Sequence, residues 1–102
     1  MEEPFDPATA QGYVRAILEG PGMTVFTKRA KADFLVNDMT IVDAVNVLRG
    51  GRIAKGAEAA PGWTYRAETS RMSVEFSFRG QGRDAAAEPD ELVIESVRRS
   101  KR

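Results

Sequence analysis

The feature that most constrains this chain is a change of hydrophobic period near residue 52. Before it, apolar residues recur at helical spacing; after it they alternate, as in half-buried strands. Helices first and strands afterwards is the layout of an α+β domain. The N-terminal half opens with Asp6 as an N-cap, Pro7 at the first helical position and Gly20 as a terminator that can turn left-handed. Between them Val14, Ile17 and Leu18 form one apolar stripe. Glu19-Gly20-Pro21-Gly22 breaks the chain, and Met23 to Thr27 follows as a short strand or an extended lead-in. The spacing predicts a second helix over 28–37, with Ala30, Phe34 and Leu35 on its inner side. Thr40 caps a third helix, and Asp43 completes a short-armed capping box. Ile41, Val45 and Leu48 are its expected buried stripe, with Ala44 between them and Gly50-Gly51 at its end.

In the second half, Arg52 to Lys55 reads as a weak strand, Pro61-Gly62 as a turn and Trp63 to Glu68 as an alternating strand. After a turn at Thr69-Ser70-Arg71 the alternation is strongest. Met72, Val74, Phe76 and Phe78 share one face; Ser73, Glu75, Ser77 and Arg79 share the other. Residues 80–91, rich in glycine, alanine and acids, read as a mobile loop, Leu92 to Val97 as the last strand, and 99–102 as a basic tail. No internal repeat divides the 102 residues. The expectation is a single α+β domain over 1–102, with N-terminal helices on one face of a C-terminal antiparallel sheet and a polar, open second face.

Composition narrows the chemistry. The chain contains no His and no Cys, which excludes a Ser-His-Asp triad, a thiol nucleophile and Cys-based metal centres. No P-loop, GxGxxG or metal motif occurs, so neither cofactor nor metal is expected. No apolar run approaches the roughly 20 residues that span a bilayer. The opening Met-Glu-Glu-Pro lacks the basic region of a signal peptide. A cytoplasmic domain without a membrane partner is the expectation. The formal net charge is zero, yet residues 1–48 carry four basic against seven acidic side chains and residues 49–102 eleven against eight. That split permits a local anion-binding surface. Lys28, Arg29 and Lys31 stand in the first turn of the second helix, where the macrodipole disfavours cations unless an anion binds.

If the sheet forms as read, its open face collects Arg66, Glu68, Ser73, Glu75, Ser77 and Arg79. Cross-strand charge pairs stabilise any such face, by roughly 0.2–1 kcal/mol each. They also fit a shallow site in which guanidinium forks hold a phosphate while a carboxylate moves a proton. RNA cleavage by its own 2′-hydroxyl is a reaction these groups could support. Glu75 or Glu68 would be the base, Arg66 and Arg79 the charge stabilisers, and Lys55, Tyr65 or Arg98 the proton donor. Tyr65 shares parity with Trp63, so either can instead belong to the core; Trp63 at the rim could stack on a base.

Several short stretches resemble a small prokaryotic family related to the MqsR and RelE-like toxins. They are Phe26-Thr27-Lys28-Arg29-Ala30, Met39 to Val45 with Leu48-Arg49-Gly50-Gly51, Gly62 to Arg66, Val74-Glu75-Phe76 and Leu92 to Arg98. Relatives commonly show Lys-His-Ala where this chain has Lys28-Arg29-Ala30. The resemblance implies a compact α+β toxin fold and a metal-independent endoribonuclease acting on mRNA, on or off the ribosome. It also implies neutralisation by a cognate antitoxin protein. Carried over by position, Arg66 and Glu75 join Arg79 as candidate catalytic residues, and Lys28, Arg29 and Arg98 join Lys55 as candidate RNA contacts. A non-catalytic protein-binding module, or an inactive toxin-like regulator, is the alternative.

Overall fold

The first helix begins where the cap chemistry places it. A computed structural model describes residues 4–20, 22–54, 56–59, 62–79 and 89–99. In it α1 spans Pro7–Glu19, and the Asp6 carboxylate accepts the Thr9 backbone N–H at 2.7 Å. Gly20 ends α1 in extended backbone (φ −112°), not in the left-handed region. Glycine is needed there for space, since a Cβ would stand 2.6 Å from the Ala16 carbonyl oxygen. The capping box of α3 (Ile41–Gly50) is formed in both directions: Thr40 accepts the Asp43 N–H, and Asp43 accepts the Thr40 N–H. Its buried stripe is Ala44, Val47 and Leu48. Ile41 is exposed and Val45 only half-buried, because the helix leans on α1 and the sheet through the i, i+3, i+4 set beginning at Ala44.

Six strands build the sheet: β1 (Met23–Phe26), β2 (Arg52–Ile53), β3 (Ala57–Ala59), β4 (Gly62–Glu68), β5 (Met72–Arg79) and β6 (Glu91–Arg99). Their order is β1-β6-β5-β4-β2, with β3 pairing the other end of β4. The four pairings among β2 to β6 are antiparallel, and β1 runs parallel to β6. The expected C-terminal antiparallel sheet is present, and β1 departs from it by adding a parallel strand at one edge. A strand whose partner lies at the far end of the chain is free of the hairpin constraint that fixes direction. The short β3 is a further departure. Of the expected strand 52–55 only Arg52–Ile53 is strand, and Lys55 lies outside the described residues.

The inner face carries the core. Tyr65, Phe76 and Phe78 from β4 and β5 meet Phe5 and Tyr13, with ring centroids 4.9 to 6.3 Å apart. Val74, Leu92, Ile94 and Val97 complete the layer beneath α1 and α3. Trp63 is half-buried against the same cluster.

The nine-residue α2 (Lys28–Val36) does something else. It lies along β6 beyond the point where β1 ends, and its side chains replace a neighbouring strand. Asp33 accepts the Val97 N–H at 3.2 Å, while Asn37 donates to the Val97 carbonyl at 3.3 Å and accepts the Arg99 N–H at 3.2 Å. Edge groups that would otherwise template another chain are thereby occupied. Only a narrow strip of α2 is covered as a result. Ala30 is buried and Phe34 packs on Phe26, but Leu35, expected inside, is exposed.

Two expectations about the chain's last quarter also change. Glu91 belongs to β6 and not to a loop, and residues 80–88 lie outside the described residues. Arg99 is no tail residue. Its guanidinium donates to the carbonyls of Asn37 and Asp38 at 3.0 and 2.9 Å and stands 3.7 Å from Asp43. It thus ties the end of α2, where Asp38 takes a left-handed φ of 52°, to the start of α3. No helix among the described residues is long and apolar enough to cross a membrane.

Candidate functional site

The outer face of β4, β5 and β6 is not covered by α1 or α3, and it holds a cleft of about 530 Å³. Three elements deliver its charged groups. β4 contributes Arg66 and β5 contributes Glu75, directly opposite each other in the antiparallel register. The N-terminal turn of α2 contributes Arg29 from the β6 side. Ser96 and Glu95 of β6 form the floor beside Glu75, and Glu58 and Glu68 stand on the β3 and β4 side.

Glu75 is the centre of this arrangement. Its Oε1 accepts the Ser96 hydroxyl at 2.6 Å, and its Oε2 meets Arg66 Nη2 at 3.4 Å. The Arg66 side chain is 53% exposed and that of Glu75 33%, so the ion pair contributes no more than about 1 kcal/mol to the fold. The Ser96 hydroxyl is the largest influence holding the Glu75 carboxyl below its ordinary value of 4.5. Partial burial pulls the other way, and Arg66 and then Arg29 add to the lowering. Glu75 is thus a fixed, ionised acceptor at neutral pH. Each of its oxygens keeps acceptor capacity for a further donor. Arg29 is exposed and lines the cleft, and among the described residues its guanidinium makes no hydrogen bond or ion pair.

The structure brings together Arg29, Arg66 and Glu75. It does not bring Arg79 to them. Arg79 shares their face but lies four residues along β5, opposite Glu91, about 13 Å away at strand spacing. Lys28 is exposed and stands outside the cleft. Arg98 is paired opposite Ser73 and faces a separate shallow depression with Glu68, Thr69 and Ser70. Tyr65 is core: its ring is buried among Phe5, Phe76 and Phe78, and its hydroxyl accepts the Phe5 N–H at 2.9 Å. Lys55 lies outside the described residues.

Sequence reasoning missed Ser96, Glu95 and Glu58. A signal for the first two was present. Leu92, Val93 and Ile94 are three apolar residues in a row, and Ile94 and Val97, both in the core, are three apart and not two. The alternation therefore slips between them. The open face is also less polar than expected, since Val93 is 4% exposed on the side that carries Ser77. Among the described residues no three carboxylates are grouped as a metal site. Compared with models of protein families, with characterised proteins and with solved structures, the chain has no significant match.

Proposed function

We propose that the outer-face cleft is the RNA-cleaving site of a toxin-like domain that acts on mRNA and is held in check by a cognate antitoxin protein. The observation that carries this is the convergence of Arg29, Arg66 and Glu75, from three separate elements, on one open cleft. Three of the motifs that resemble toxin relatives, Phe26 to Ala30, Gly62 to Arg66 and Val74-Glu75-Phe76, supply the members of that trio. Glu75 takes the proton of the ribose 2′-hydroxyl. The 2′-oxygen attacks the adjacent phosphorus, the bond to the 5′-oxygen breaks, and a 2′,3′-cyclic phosphate forms. The departing 5′-oxygen takes a proton from water, because Tyr65, although it lines the cleft, has its hydroxyl engaged by the Phe5 N–H, and Arg98 lines a separate depression. Arg29 and Arg66 hold the non-bridging oxygens, where charge builds in the transition state.

The test is cleavage of an RNA oligonucleotide by the purified protein in excess EDTA. Products ending in a 2′,3′-cyclic phosphate are expected. Arg66→Ala should reduce the rate at least about 100-fold, as removal of a single transition-state donor does, with an unchanged circular dichroism spectrum. An intact oligonucleotide after prolonged incubation with folded parent protein would overturn the reading.

One observation favours a second reading. Around the cleft the two guanidinium groups face four carboxylates, Glu58, Glu68, Glu75 and Glu95. A surplus of negative charge suits a basic segment of a protein partner in a non-catalytic module. Salt-sensitive binding of an Arg/Lys-rich peptide, lost in Glu75→Gln, together with no RNA cleavage, is its expected signature.

A further inference from the structure

The pairing of β5 with β6 skips one residue. Glu75 lies opposite Ser96, but the next residue, Phe76, lies opposite Ile94, so Glu95 is an extra residue in the ladder. Such a bulge changes which side chains reach which face. With an unbroken register Glu95 would stand directly opposite Glu75, two like charges side by side. Ser96 would then face the core. With the bulge, Ser96 turns outward beneath Glu75, and Val97 returns to the core layer. The local backbone is held from the other side as well, since the Thr27 hydroxyl donates to the Glu95 carbonyl at 3.1 Å. Thr27 is also the N-cap of α2, accepting the Ala30 N–H. One residue therefore fixes the bulge and the start of the helix that bears Arg29.

From this geometry we infer that Ser96 is the positioning residue of the cleft: its outward hydroxyl, set by the bulge at Glu95, fixes the orientation of the Glu75 carboxylate. The inference rests on the reading of Glu75 as the group that takes the 2′-hydroxyl proton. Ser96 is 2% exposed, the one buried polar side chain among the described residues. Nearly buried in the cleft floor, it acts through its 2.6 Å bond to Glu75. With Oε1 tied down, Oε2 is the oxygen left between Arg66 and the cleft. The bond also favours the ionised form, so the carboxylate is unprotonated across the neutral range.

Two readouts on the same proteins test this. The Glu75 side-chain carboxyl is titrated by carbon-13 NMR, and the pH dependence of RNA cleavage is measured, in the parent, Ser96→Ala and Ser96→Thr. In Ser96→Ala the Glu75 midpoint should move upward and the acidic limb of the cleavage profile should follow it. The kcat should fall about 10- to 100-fold with KM little changed, the effect of losing one hydrogen bond to a charged group. Ser96→Thr keeps the hydroxyl and should restore both. Thermal melts establish that each variant is folded, and if Ser96→Ala is not, the inference is decided on Ser96→Thr and on the parent's own titration. A Glu75 midpoint at or above 4.5 in the parent, or an unmoved midpoint and acidic limb in folded Ser96→Ala, overturns the inference while leaving the ribonuclease reading standing. A midpoint that moves as expected in a protein that cleaves no RNA supports Ser96 as the orienting group of Glu75 and overturns the ribonuclease reading instead.

Discussion

Up to Ile94, β6 is a strand between strands; from Ser96 onward it is a strand between a strand and a helix. In the first half β1 and β5 pair with its backbone, and Leu92, Val93 and Ile94 are all buried. In the second half the outer edge is served by Asp33 and Asn37 of α2, and the side chains alternate between core (Val97) and open face (Ser96, Arg98). The division falls on the bulge at Glu95. The same strand thus anchors the fold with one half and carries the cleft with the other. Replacing a neighbouring strand by a helix is what lets Arg29 reach the open face at all.

The contrast can be broken by mutation. Ile94→Ala, in the anchoring half, should lower stability by about 2–5 kcal/mol, the range for truncating a fully buried aliphatic residue. Urea denaturation measures it, and a cost under about 1 kcal/mol would mean that this half is no anchor. Asp33→Ala, which strips the Val97 N–H of its partner in the other half, should cost less, about 1–3 kcal/mol. Asp33→Asn keeps an acceptor oxygen and should recover part of that. Equal losses for Ala and Asn would show that the side-chain edge does not depend on this bond.

The smallest effect is expected from Glu75 itself and concerns pH. Its folded-state pKa lies below the ordinary 4.5, so between the two values the unfolded chain binds more protons than the native one. Its contribution to stability is therefore complete above about pH 5.5 and is lost as pH falls through 4.5 toward the folded value. The stability difference between the parent and Glu75→Gln should be constant from about pH 7 to about pH 5.5 and shrink below that. A difference that grows on acidification would reverse the sign of the Ser96 and Arg66 interactions.

Local chemistry made much of this fold legible in the sequence. The caps of α1 and α3 and the alternation of β5 depend on neighbours a few residues away, and they form as read. What was not legible depends on contacts across the chain. The parallel pairing of β1, the use of α2 as an edge and the role of Arg99 as a clamp have no nearby signature. Leu35 and Ile41 fit an apolar stripe, yet both lie at the α2–α3 corner, which the sheet does not reach. For the site, Arg66 and Glu75 were legible because strict alternation sets them on one face, and the antiparallel register then sets them opposite each other. The same alternation included Arg79, since parity identifies a face and says nothing about distance along it. Ser96 stayed hidden because a single inserted residue reverses parity from that point on.

The order in which the polypeptide is made has a bearing on the cleft. Thr27 and Glu95 are 68 residues apart, and among the described residues β1 gains its strand partner when β6 emerges. Contacts of such long range form late and slowly. Arg29 and Glu75 are synthesised before Ser96 and the bulge that orients it. A nascent chain stalled short of its last strand carries the charges without the geometry that joins them. The two strands that carry Arg66 and Glu75 are thus in place before the cleft is, and the cleft is complete only once β6 has docked.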